Sequence, residues 1–249
     1  MNTLRISVLL TLQMAIALFA SSDSVGDENP VLWQQDFENR LPGEMPDGWG
    51  IAWGTKTMPP CDLFTISNSE HLGGSRSLLF ERNAPLEAAI MYGICTGTPP
   101  IQSPLVKFSL FFMPVGSASE TGFSFELRTT AHGKMAAIEF GARKVTLARG
   151  DHKKSSPLGQ FELGQWNKIS VVLPCDPEKQ TGKASAVLET RNSDGSWKAL
   201  SAPVDMELTC PIAKDKKILI MFNVPATKAP FKVYFDDMSI ETYPKEQEK

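Results

Sequence analysis

Hydrophobic side chains recur at every second position over much of this chain. In "KFSLFFMPV" Phe108, Leu110 and Phe112 share one face, and in "GFSFELR" Phe123, Phe125 and Leu127 do the same. "KVTLAR" alternates through Val145 and Leu147, and is reached from "MAAIEF" by the turn "GAR". "KISVVL", "KILIMFNV" and "FKVYF" continue the pattern with β-branched and aromatic residues bounded by Gly, Pro, Asn and Asp. Period two belongs to half-buried strands, whose successive side chains point to opposite faces. The expectation is an all-β fold of two packed antiparallel sheets.

Prolines and glycines, 18 of each, punctuate the strands without forming a linker. "GTPPIQSP" and "ATKAP" read as connections, and "RNSDGSW" carries an Asp-Gly hairpin turn. No internal repeat is present, so residues 31–243 are expected to form one β-sandwich domain between a flexible segment, 23–30, and a flexible tail, 244–249. The last strand contains a phase slip. Phe231, Val233 and Phe235 are odd-numbered, whereas Met238 and Ile240 are even. If all of them face the core, a β-bulge at Asp236–Asp237 absorbs the extra residue.

Residues 1–22 read as a secretory signal peptide, in which Arg5 precedes the apolar run Ile6–Ala20 and small residues follow. The protein is therefore expected to be secreted, extracellular or periplasmic, with no membrane span after cleavage. Export changes the reading of the cysteines, since Cys61, Cys95, Cys175 and Cys210 contain no CxxC pair and fit two disulfides better than zinc. Sequence permits three pairings, of which the local one, Cys61–Cys95 with Cys175–Cys210, is the simplest. The formal net charge of −3 becomes −4 once Arg5 is removed, and no basic cluster supports nucleic-acid binding.

Four stretches in order, "DFEN…PGEMPDGWG" (Asp36 to Gly50), "HLGGSRSLLFE" (His71 to Glu81), "GQWNKISVVL" (Gly164 to Leu173) and "VYFDDMSIE" (Val233 to Glu241), give the chain a familiar outline. It resembles bacterial extracellular jelly-roll domains of the concanavalin A-like (LamG-like) type and carbohydrate-binding modules. The resemblance implies that the first and last strands lie together, with a structural Ca2+ near them. Carried onto this sequence, the calcium candidates are Asp36 and Glu38, which are expected to point the same way along a strand, and Asp236 and Asp237.

Sugar binding on such sandwiches uses exposed aromatic rings with polar groups around them. Trp33 and Trp166 read as core or rim packing, and Trp49, behind a Pro/Gly turn, reads as a plug at one end of the sandwich. Trp53, in loop-like "GIAWGTK", and Trp197, after the Asp-Gly turn, are the ligand-binding candidates. No catalytic residue is assigned. An E-x-D-x-x-E pair is missing, "FELRTT" and "AIEFGAR" offer one acid each, and His71, His132 and His152 sit beside turns without an evident relay. Nor is there a G-x-S-x-G, an H-E-x-x-H or a phosphate loop. The expected role is non-catalytic binding of extracellular polysaccharide or glycan. The alternatives are an adhesion module for a protein partner or the cell envelope and, last, a polysaccharide hydrolase or lyase.

Overall fold

The computed structural model describes residues 30–53, 64–82, 90–95, 101, 103–115, 122–129, 133–141, 143–175, 182–208, 218–224 and 231–244. For 50–53, 82, 90–95, 129, 224 and 231 only the backbone is described. The chain first forms β1 (Val31–Gln35), β2 (Trp49–Trp53), β3 (Phe64–Ser67), β4 (Ser77–Arg82) and β5 (Ile90–Cys95). The long β6 (Leu105–Val115) is followed by the meander β7 (Phe123–Thr129), β8 (Lys134–Gly141), β9 (Lys144–Arg149) and β10 (Ser155–Gln160). Then come β11 (Asn167–Pro174), β12 (Gly182–Arg191), β13 (Trp197–Ala199) and β14 (Val204–Leu208). β15 (Ile218–Val224) and β16 (Phe231–Thr242) complete the set.

These strands form two antiparallel sheets. The nine-stranded sheet runs β13-β12-β11-β6-β16-β4-β3, with β1 also paired to β16 and β14 to β12. The seven-stranded sheet runs β10-β9-β8-β7-β15-β5-β2. Period two now has a concrete meaning. Phe108, Leu110 and Phe112 of β6 and Phe123, Phe125 and Leu127 of β7 are all buried in the main core. The centre of that core is aromatic: Phe64 stacks on Phe80 at 4.2 Å, and Phe123 on Phe140 at 4.3 Å. Each such ring contributes roughly 2–3 kcal/mol by burial, which makes the sandwich a firm support for its outer faces.

The first and last strands do lie together, Val31 opposite Glu241 and Gln35 opposite Met238. The phase slip is also a bulge: the β16–β6 register shifts between Asp236 and Ser239, and Asp237 has φ 44. Val233, Phe235, Met238 and Ile240 all remain buried across it. The Asp-Gly hairpin forms as expected, with the Asn192 N–H donating to Ser196 O at 2.8 Å and Gly195 at φ 85.

Other expectations change. Gly141 pairs with Lys144, so the β8–β9 turn is one residue tighter than "GAR" suggested. Asp36 and Glu38 lie beyond the end of β1, in a turn where the buried Phe37 takes φ 64. Trp53 belongs to a strand, not a loop, opposite Met91 of β5. Trp49 is core, 5.3 Å from Phe64 and 5.0 Å from Phe222. Cys175 is a free, buried thiol whose pKa burial pushes up to about 12, and the partner expected for it, Cys210, is not among the described residues. Cys61, Cys210 and the signal segment lie outside the described residues, and Cys95 is described by its backbone in β5. Among the described residues no helix is long and apolar enough to cross a membrane.

Candidate functional site

The structure gathers the four predicted acids around the bulge, but it gives them separate tasks. Asp236 is only 1% exposed; its Oδ2 accepts from the Leu72 N–H at 2.8 Å and the Gly73 N–H at 3.3 Å, and its Oδ1 from the Asp237 N–H at 2.9 Å. Glu38 Oε1 accepts from the backbone N–H groups of Ser75 and Arg76 at 2.9 and 2.7 Å, and Oε2 from the Ser75 hydroxyl at 2.8 Å. Gly74, at φ +58, passes so close to that carboxylate that a Cβ would overlap Oε1. The two carboxylates therefore clasp the turn after β3 to the end of β1 and to β16.

Burial pushes the Asp236 carboxyl up to about 7, against the Leu72 hydrogen bond and with help from the Asp237 charge. Asp237 is raised too, by burial and then by the charges of Asp36 and Glu38. For Glu38 burial acts upward, but the Ser75 and Arg76 donors outweigh it and its pKa is lowered. Calcium needs several free oxygen ligands. Both oxygens of Glu38 and of Asp236 already face donors, and among the described residues no three His, Cys, Asp or Glu side chains gather in a metal-holding arrangement. As placed, these residues do not fit calcium.

A second group lies on the outer face of the seven-stranded sheet. Alternation along β7 sends Phe123, Phe125 and Leu127 to the core and Ser124, Glu126 and Arg128 outward. Glu126 is nevertheless 0% exposed. Arg128 Nε donates to its Oε2 at 2.7 Å, and Lys134 Nζ lies 2.7 Å from Oε1, an ion pair outside hydrogen-bond geometry. Lys134 Nζ is also 3.2 Å from His152 Nε2, and His152 Nδ1 is 2.8 Å from Glu139 Oε1. An ammonium can only donate, so this geometry suits a neutral imidazole with its proton on Nδ1. His152 thus has the partners that its sequence neighbours did not reveal. Glu139 sits opposite Ser124 and Glu126 opposite Ala137, which makes the two glutamates diagonal neighbours.

The outer face of the nine-stranded sheet is organised in rows. Glu241, Lys107, Val172 and Ser185 pair successively across β16, β6, β11 and β12. Ser239, Ser109, Ser170 and Val187 form the next row, and Asp236, Phe111, Lys168 and Glu189 the third. Here a second hydrophobic cluster, separate from the core, joins Met113, Trp166 and Tyr234 to half-buried Leu79, Phe111 and Trp197. Trp197, on the short β13, lies 5.2 Å from the Phe111 ring at 55°. Lys168 Nζ stands 5.6 Å from the Phe111 ring centre and 5.9 Å from that of Trp197. The two tryptophans expected to bind ligand are on different sheets, so they cannot form one surface; Trp53 is described by its backbone only.

No protein-family model matches the chain, and no curated protein matches it. Solved structures do. A conserved carbohydrate esterase from Shiga toxin-encoding bacteriophage phi24B aligns at 11% identity and TM-score 0.53, over 87% of this chain and 100% of the other. A GH131 beta-glucanase catalytic domain from Podospora anserina aligns at 11% identity and TM-score 0.54, over 87% and 97%. The catalytic domain of a glycoside hydrolase family 131 protein from Coprinopsis cinerea gives 10% identity and TM-score 0.54, over 87% and 96%. With two antiparallel sheets built from the alternation above, this is a concanavalin A-like jelly-roll sandwich. At these identities the likeness speaks for the fold.

Proposed function

We propose that this is an exported, non-catalytic carbohydrate-binding protein that offers the outer face of its nine-stranded sheet to extracellular glycan. One observation supports this most: a second aromatic and apolar cluster stands outside the core, with Phe111 and Trp197 only partly buried against it. A sheet face turned to water is ordinarily polar, and the exposed faces of aromatic rings beside polar and charged side chains are what sugar rings stack on. Depletion of the protein from solution by a panel of soluble and insoluble polysaccharides tests the reading. Trp197→Ala should weaken retention about tenfold or more while lowering stability by about 1–2 kcal/mol, since its ring is only half-buried. Chelator should leave retention unchanged, because Glu38 and Asp236 already face donors and no three acids gather in a metal-holding arrangement among the described residues. A loss in Trp53→Ala instead would move the site to the seven-stranded sheet. Retention by no polymer would overturn the reading and favour a protein or cell-envelope partner.

Glycan cleavage is a second reading, supported by the diagonal pair Glu126 and Glu139 on one sheet face. It ranks lower because Glu126 is enclosed and neutralised by two cations, out of a substrate's reach. Release of reducing or unsaturated ends that disappears in Glu139→Gln would reverse this order.

A further inference from the structure

The three-row grid contains a trough. Lys107-x-Ser109 and Lys168-x-Ser170 run antiparallel on β6 and β11, which sets the two serines opposite each other and the two lysines at opposite ends. Small side chains therefore form a lane across the strands, bordered on both sides by long ones. The lane opens into a groove of about 290 Å³ lined by Ser170, Val172, Ser185, Val187, Lys107 and Lys168, with Tyr243 and Pro203 at its edge. That volume is at the lower end of the small-ligand range of about 300–1,000 Å³.

Two features say what the groove takes. Ser170 is 7% exposed, and its hydroxyl, like that of Ser109 facing it, meets no protein partner. Buried hydroxyls without partners are uncommon. The Ser170 Oγ is enclosed as placed, and another staggered χ1 rotamer is what would turn it to a ligand in the groove. The flanking charges also cancel: Lys107 pairs with Glu241 and Lys168 with Glu189, each at 3.6 Å. A balanced rim has no preference for a net charge, yet it is rich in donors and acceptors. Between the rims, Val172 and Val187 offer an aliphatic surface.

We infer that this groove is a subsite for one or two sugar units of a neutral polysaccharide. The pyranose C–H face lies on the valines, and its hydroxyls meet Ser170, Ser185 and the rim. The inference rests on the carbohydrate-binding reading above and specifies it: Lys168 belongs to both the groove and the Phe111–Trp197 platform, so a bound chain passes from one to the other.

The test uses the full-length protein with cellulose, β-1,3-glucan, xylan and galactomannan as neutral probes and a polyuronate as the anionic one. Ser170→Ala removes the hydroxyl, and Val187→Phe fills the groove from a half-exposed position. Both should fold, Ser170→Ala with an unfolding midpoint at or above wild type and Val187→Phe with one close to it, and both should lose retention on the neutral probe at least tenfold. Wild-type retention on a neutral probe that persists in both variants overturns the groove while leaving the carbohydrate reading intact. Retention on the polyuronate alone overturns the neutral-ligand assignment. Wild-type retention on none of the probes overturns the groove and the general reading together.

Discussion

Glu126→Ala should destabilise the protein by about 3–5 kcal/mol, the range for removing one partner of a buried ion pair. The loss comes less from the attraction given up than from what stays behind. Arg128 and Lys134 converge on a carboxylate with no exposure of its own, and their side chains are only 12% and 30% exposed. Without Glu126 the two cations face each other across the β7–β8 pair, where Arg128 and Lys134 are directly opposed. Glu126→Gln keeps the shape and one acceptor, so it should cost about half as much. Replacing all three residues by apolar ones of similar volume (Glu126→Leu, Arg128→Met, Lys134→Met) should recover most of the loss, because no buried charge then lacks a partner. Urea-unfolding midpoints of the three variants check this. A loss below about 1 kcal/mol in Glu126→Ala would show that the cations find water as good a partner as the carboxylate.

What could be read from the sequence follows from period two and from where it breaks. The alternation of Phe108, Leu110 and Phe112 located a strand and its buried face, and the odd-to-even change between Phe235 and Met238 located a bulge. "DFE" shows how the same rule misleads. Phe37 is buried between two more exposed acids, which looks like a strand, but its φ of 64 makes it a turn whose flanking side chains serve different partners. The Glu126, Lys134, His152 and Glu139 group was not legible, since it depends on β7–β8 register and on a turn with His152 at φ 55. The trough lay between these cases. Its two K-x-S triplets are visible in "KFSLF" and "KISVV", but only antiparallel pairing of β6 with β11 sets serine against serine.

Stability should be greatest in mildly acidic solution and fall as the pH rises towards 8, and Asp236 sets that slope. An aspartate in an unfolded chain has a pKa of about 3.9. In the fold, burial first and the Asp237 charge as well hold Asp236 up at about 7, even though the Leu72 N–H pulls it down. The folded state therefore keeps a proton between these values that the unfolded state has released. Unfolding stability then decreases with pH across the interval, by a total of up to about 4 kcal/mol. Asp237, also raised, acts in the same direction, whereas Glu38, lowered by its Ser75 and Arg76 donors, loses its contribution only in stronger acid. Thermal midpoints measured from pH 4.5 to 8.5 should accordingly decline. In Asp236→Asn the decline should flatten; Asn has a single acceptor oxygen for three N–H donors and should be about 1 kcal/mol less stable than wild type near pH 4.5, with the two profiles crossing as the wild type declines towards pH 8. Asp237→Asn removes one upward influence on Asp236 and should move the decline to lower pH. A wild-type profile that is level or rises between pH 5 and 8 would mean that the Leu72, Gly73 and Asp237 N–H groups hold the carboxylate ionised, and that the turn after β3 is clasped by a charge at every pH in that range.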